Sequence, residues 1–188
     1  MALLGLRTLR LRLAVVALAS TAVHAGAQTS VTDEYQVKAA FLYNFAKFVD
    51  WPPGVLGSSG IIAICVLGQN PFGRMLEDTV SGKTVDGKSF VVRRVSDGKA
   101  AASCQILFVS SSERTRLGAI LGELRTGHVL TVGESDGFIE EGGIVNLKLE
   151  SGKIQIQINI NAAEQAGVRI SSKLLSLAQI MKNPVQAK

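Results

Sequence analysis

Ile61 to Gly73 reads IIAICVLGQNPFG. The residues from Ile61 to Leu67 are an unbroken apolar run, closed by Gly68 and by Asn70-Pro71. Such a run fits a strand covered on both faces, and strands of that kind belong to parallel sheets with helices on either side. Phe72 and Gly73 then lead into a helix. Cys65 on this strand is one of only two cysteines. The other, Cys104, stands just before a second run of the same kind, Ile106 to Ser110 (ILFVS). In the usual doubly wound order the two runs are neighbours, which brings the cysteines close together.

The pattern on either side extends this reading. Ser30 to Trp51 is expected as a helix, capped by Ser30 or Thr32 and stopped by Pro52-Pro53, with Val37, Phe41, Phe45 and Phe48 as its apolar stripe. Pro71 to Val80 reads as a helix and Ser81 to Lys88 as a loop with two glycine turns. Ser89 to Val95 reads as a strand and Ser96 to Ser103 as a short helix. Glu113 to Leu124 is helical by its stripe of Leu117, Ile120, Leu121 and Leu124, and His128 to Val132 is a strand. Ile144 to Glu150 and Lys153 to Ile160 alternate around Ser151-Gly152, a hairpin signal. Ala162 to Gln165 reads as a helical turn and Ser171 to Met181 as a closing helix. The predicted fold is α/β: a three-layer α/β/α sandwich with a mixed, mostly parallel sheet ending in an antiparallel hairpin.

The first 27 residues read as a secretory leader. Arg7, Arg10 and Arg12 precede the apolar Leu13 to Ala19, and small residues follow up to Ala27. Cleavage is expected after Ala27, with Ala25 the alternative; an uncleaved anchor is disfavoured by the short apolar core. Residues 28–188 then form one exported domain, expected in the periplasm. Losing the three leader arginines takes the 20 basic residues to 17 against 15 acidic, a net of +2. The high pI is thus largely a property of the leader, and no basic patch argues for nucleic acid. Export permits a disulfide, and two cysteines allow only Cys65–Cys104. The alternative is a pair of reduced core thiols behaving as small hydrophobes.

Motifs for catalysis are weak. Gly82-Lys83-Thr84-Val85-Asp86-Gly87-Lys88-Ser89 matches the phosphate-loop pattern letter for letter. Its context is reversed, because a phosphate loop follows a strand and opens a helix, whereas here a helix precedes and a strand follows. His128 is the sole histidine outside the leader, with no nucleophile elbow beside it. One histidine and two cysteines make a transition-metal site improbable, and no cofactor is expected. The loops beyond the parallel strands, with Gly68, Asn70, Ser110, Ser111, Gly133, Glu134 and Ser135, are small and polar enough to form a ligand cleft. Ordinary loop composition explains them equally well. Aromatics crowd into the first helix, where core packing competes with a partner-binding face.

Four blocks carry a resemblance: EYQVKAAFLYNFAKFVDWP (Glu34 to Pro52), ICVLGQNPFG (Ile64 to Gly73), VLTVGESDGFIEEGGIVNL (Val129 to Leu147) and INAAEQAGVRISSKLLSLA (Ile160 to Ala178). Together they resemble the YfiR family of bacterial periplasmic proteins over nearly all of residues 28–188. The resemblance implies an exported α/β domain that dimerises, with no catalytic residues. It further implies repression of an inner-membrane diguanylate cyclase through its periplasmic region, relieved by an outer-membrane lipoprotein and by redox state. Cys65 and Cys104 resemble a disulfide pair of that family; a second pair found in some members is absent, which puts redox sensing in doubt. On this reading the partner-binding face is expected at Phe41, Tyr43, Phe45 and Phe48, with Arg169 and Lys173. The alternative is a periplasmic small-molecule sensor using the strand-end cleft.

Overall fold

A computed structural model describes residues 31–56 and 60–181. The leader, the Ser30 cap, most of the Gly57–Gly60 linker and the tail after Met181 lie outside the described residues.

The central strand forms as the apolar run predicts. β2 (Ile61–Leu67) pairs in parallel with β4 (Lys88–Val95) on one side and β5 (Ile106–Val109) on the other. β6 (Leu130–Gly133) and β7 (Val145–Glu150) extend the parallel set beyond β5. β8 (Lys153–Asn159) returns antiparallel to β7 across Ser151-Gly152. Both turn residues have positive φ, 49° and 76°, which suits a tight turn whose twist matches the strands. The edges are β3 (Thr84–Val85) beside β4 and β10 (Gln179–Met181) beside β8, giving the order β10-β8-β7-β6-β5-β2-β4-β3. The mixed, mostly parallel sheet with its hairpin is therefore the architecture present.

Alternation divides each strand between two cores. Ile62, Ile64, Val66, Ile106, Phe108, Val132, Val145 and Ile158 face α1 (Val31–Phe48), α2 (Met75–Val80), α5 (Ile160–Gln165) and α6 (Ser172–Leu175). Ala63, Cys65, Leu67, Leu107 and Val109 face α3 (Gly98–Ala101), α4 (Leu117–Leu124) and Phe138. Two covered faces explain why β2 carries no polar residue. Among the described residues no helix is long and apolar enough to cross a membrane.

Five expectations need correction. The buried stripe of α1 is Lys38, Ala39, Leu42, Phe45 and Ala46, while Val37 is exposed, so the helix is rotated from the stripe read through Val37 and Phe41. α1 stops at Phe48 because β1 (Val49–Asp50) pairs antiparallel with β9 (Arg169–Ile170). The loop that imitates a phosphate-binding motif is a hairpin: Asp86 and Gly87, φ 50° and 75°, join β3 to β4. The closing helix survives only as α6, a single turn capped by the Ser171 hydroxyl. Gln179–Met181 leaves it as a strand, since pairing with β8 sets Ile180 beside Ile158. The expected 113–124 helix likewise begins as a 3₁₀ segment, Ser111–Arg116, before α4.

Cys65 and Cys104 are bonded, with Cα atoms 6.0 Å apart. The parallel pairing of β2 with β5 places them so. The bridge closes a separation of 39 residues, which on the chain-entropy account contributes about 3–4 kcal/mol. A Cys65→Ala/Cys104→Ala variant should lose that amount in urea unfolding, and free-thiol alkylation of the native chain should appear only after reduction. A variant as stable as the native protein would show that packing alone holds β2 against β5.

Candidate functional site

The chain runs from β2 to β4 on one side and comes back to β5 on the other. The strand order therefore reverses between β2 and β5, and the crevice beyond their carboxyl ends is the usual ligand position in such sheets. The structure brings Gly68, Ser110, Ser111, Gly133, Glu134 and Ser135 to this end, and the chain's own side chains fill the space. A Cβ on Gly68 would lie 2.5 Å from the Ser112 hydroxyl and 2.8 Å from Glu113 Cγ. The Gln69 amide donates to that hydroxyl at 3.0 Å. Gly133 and Gly143 hold the fully buried ring of Phe138 between them, each with no room for a Cβ. Asn70 is spent on its own turn, accepting from the Phe72 amide at 3.0 Å and donating to the Gly73 carbonyl at 3.1 Å. The Ser110 hydroxyl accepts from the Ser112 amide as the cap of the 3₁₀ segment. Ser135 is buried, and its carbonyl accepts from Asn146 at 3.2 Å.

Glu134 is the centre of this end. Its side chain is only 3% exposed. One oxygen accepts from Lys38 Nζ at 2.7 Å and the other from the Ser111 amide at 3.1 Å. Lys38 is equally buried and also donates to Glu34 one helical turn earlier. Its ammonium sits 4.7 Å from the ring centre of Tyr35. Burial, then the Glu134 carboxylate and its hydrogen bond, then Glu34, push the Tyr35 phenol well above its ordinary range. These groups tie α1 to the ends of β5 and β6. The cluster brings a carboxylate, an ammonium and a phenol together without a nucleophile poised on a base, which suits a clamp rather than a reaction centre.

Lys38 is a residue that sequence reasoning missed. Its signal was present: it falls on the same helical face as Leu42 and Phe45, and Glu34 precedes it by four residues. A lysine in that position must find a buried partner, and the partner lies 96 residues away.

The residues expected to face a partner divide into three groups. Phe45 is fully buried and stacks on Phe41, so it is part of the core; the expectation for Phe45 is corrected. Tyr43 is half-buried, edge-on to Phe90 at 5.4 Å, with the ammoniums of Lys47 and Lys83 at 4.3 and 4.5 Å from its ring centre. Phe48 lies under Lys173 at 5.5 Å. Arg169, exposed on β9, and Glu164 border a groove of about 260 Å³ whose other walls are apolar, with Ile160, Val168, Ile170 and Leu175. His128 carries no catalytic partner; its Nδ1 donates to the Ala166 carbonyl at 2.9 Å and fastens the start of β6 to the end of α5.

The structure is an open, mixed α/β sheet covered on both faces, with the glycines at its strand ends packed by the chain's own side chains. Residues 35–179 match the model of the YfiR/HmsC-like family, DUF4154, and the chain belongs to that family. No functionally curated protein matches the sequence. Among solved structures the chain is similar to the ABC domain in complex with L-Trp from Streptococcus pneumonia, at TM-score 0.52 and 11% identity. It is similar also to a conserved domain protein from Vibrio cholerae O1 biovar El Tor, at TM-score 0.53 and 12% identity. Each likeness covers 79% of this chain and 60% of the other, and at these identities it shows the fold alone.

Two predictions follow from the clamp. Lys38→Met strands two carboxylates with no cation and should cost roughly 3–5 kcal/mol in urea unfolding. Adding Glu134→Gln should return part of that loss, and purely additive losses would show that the pair is not coupled. Tyr35 has a folded-state pKa above its unfolded value of about 10, so its contribution is complete below that pH and is lost as pH rises further. Thermal stability should therefore fall more steeply above pH 10 in the native chain than in Tyr35→Phe; parallel profiles would contradict the placement.

Proposed function

We propose that the chain is a non-catalytic periplasmic regulator that binds the periplasmic region of an inner-membrane diguanylate cyclase and lowers cyclic di-GMP output and biofilm formation. The observation that carries this reading is membership of the YfiR/HmsC-like family over residues 35–179. The sealed strand ends are consistent with it, because a protein that acts by surface binding needs no open crevice. The leader supplies the compartment, an outer-membrane lipoprotein is the relieving partner the resemblance implies, and a homodimer is the expected assembly. The remainder of the expected face, with Phe41, Tyr43 and Phe48 half-buried and Arg169 and Lys173 exposed, provides amphipathic contact area of the kind interfaces favour.

A second reading draws on the groove beside Arg169. The Arg169 guanidinium and the Glu164 carboxylate at the rim of a largely apolar groove suit a small zwitterion with an apolar side chain, and one of the similar folds holds L-Trp. On this reading the chain is a small-molecule sensor, with the ligand at the groove rather than at the strand ends.

Cyclic di-GMP should rise when the gene is deleted and fall again only when the protein is restored with its leader. An unchanged level would overturn the regulator reading. A metabolite thermal-shift screen separates the second reading, since a ligand of the folded state stabilises it by RT ln(1 + [L]/Kd) and raises Tm with its concentration.

A further inference from the structure

The sheet's two edges are unequal. β10 is three residues long. At the opposite edge β3 pairs only with Lys88 and Ser89, so β4 runs on from Phe90 to Val95 with β2 on its inner side and, among the described residues, no strand on its outer side. The direction of its backbone groups is fixed. The Ser89 amide donates to the Gly60 carbonyl, at the start of β2, at 2.9 Å. Odd-numbered residues of β4 therefore bond to β2, and the amides and carbonyls of Phe90, Val92 and Arg94 point outward.

This edge is positively charged. Arg93 and Arg94 are exposed, and Lys47 and Lys83 lie over Tyr43, whose ring touches Phe90. Among the described residues none of these four forms an ion pair. Asp97, just beyond the strand, is held by the Ala100 amide as the cap of α3. Phe90 and Val92 share a face with Arg94, since they pack with Ile62 and Ile64 while Val91 and Val95 pack on the other core. A strand laid here meets apolar side chains at one end, two arginines at the other and two lysines beside Phe90. A second copy would bring its own arginines against this cluster, so the charge favours a different chain carrying acidic residues.

We propose that the outer edge of β4, Phe90 to Val95, is a strand-addition site that takes an extended, acidic segment of a partner protein as a ninth strand of the sheet. The main chain supplies the bonds and Arg93, Arg94, Lys47 and Lys83 select for acidic side chains. The inference rests on the regulator reading for the partner's role and names the surface through which it acts.

Val92→Pro is the selective test. It removes an outward amide and leaves the bonds to β2 intact, which proline on an edge strand permits. Its melting curve checks folding, and Arg93→Glu/Arg94→Glu, at exposed positions, tests the same site without proline. The probe is a short fluorescein-labelled peptide of alternating Glu and Val, with a Lys and Val peptide as control. The native protein should bind the acidic peptide saturably by fluorescence anisotropy and ignore the basic one. Val92→Pro should abolish the signal, and the arginine reversal should weaken it roughly tenfold. Equal binding of both peptides, or undiminished binding by both variants, overturns the proposal. So does a native dimer in sedimentation that Val92→Pro makes monomeric, because the edge would then hold a second copy. In cells, a Val92→Pro protein that lowers cyclic di-GMP as well as the native one refutes the edge while the regulator reading stands. A deletion that leaves cyclic di-GMP unchanged refutes that reading, and the peptide result then decides the edge alone.

Discussion

Lys38 sets how the first helix lies on the sheet. A lysine on the buried face of a helix loses its hydration and must recover it from carboxylates. Glu134 meets it from the end of β6 and Glu34 from its own helix. Once that ammonium points inward, Leu42, Phe45 and Ala46 go down into the core with it. Tyr43 and Lys47 are then turned toward β4, and Phe48 toward Lys173. The same carboxylate accepts from the Ser111 amide, so it also ties the loop after β5 to the end of β6. The buried ion pair thus lies on the face of α1 that carries Leu42, Phe45 and Ala46 into the core.

The parts of the fold legible in the sequence are those fixed by local composition. The apolar runs of β2 and β5 and the alternation around Ser151-Gly152 each specify their burial without reference to distant residues. β2 and β5 then sit side by side, and the disulfide follows from that adjacency. What stayed hidden was set by long-range pairing. Ser171 to Met181 has helical spacing, yet Ile180 gains a partner in Ile158 only as a strand. Val49-Asp50 reads as the end of a helix until Arg169-Ile170 comes alongside. Ser81 to Lys88 reads as a loop with two glycine turns until Thr84-Val85 pairs with Lys88-Ser89 and makes Asp86-Gly87 a hairpin turn.

The site shows the same division. Glu134 was visible as a polar residue at a strand end, but a polar loop reads alike whether it lines a cleft or fills one. Side-chain volume decides between them: Ser112 and Glu113 over Gly68, and Phe138 between Gly133 and Gly143. Glycines at those positions signal close approach of a neighbouring group, and here that group belongs to the chain itself. Phe45 shows the limit from the other direction, because an aromatic stripe does not say which of its members is innermost.

Beside the groove at Arg169 and the half-exposed aromatics of α1, the rims of the sheet are further surfaces open to recognition. Exposed strand edges invite indiscriminate pairing, and charges placed on them are the common protection. On β4 the charges are of one sign and clustered, with Arg93 and Arg94 on opposite faces of the strand and two lysines beside Phe90. Two copies of such an edge repel one another, as do other basic strands, whereas an acidic strand is attracted by the same groups. The clustered charge that sets two such edges against one another is the same feature on which the proposed acidic strand relies. This turns an ordinary liability of open sheets into selectivity, and it requires nothing of the strand-end crevice.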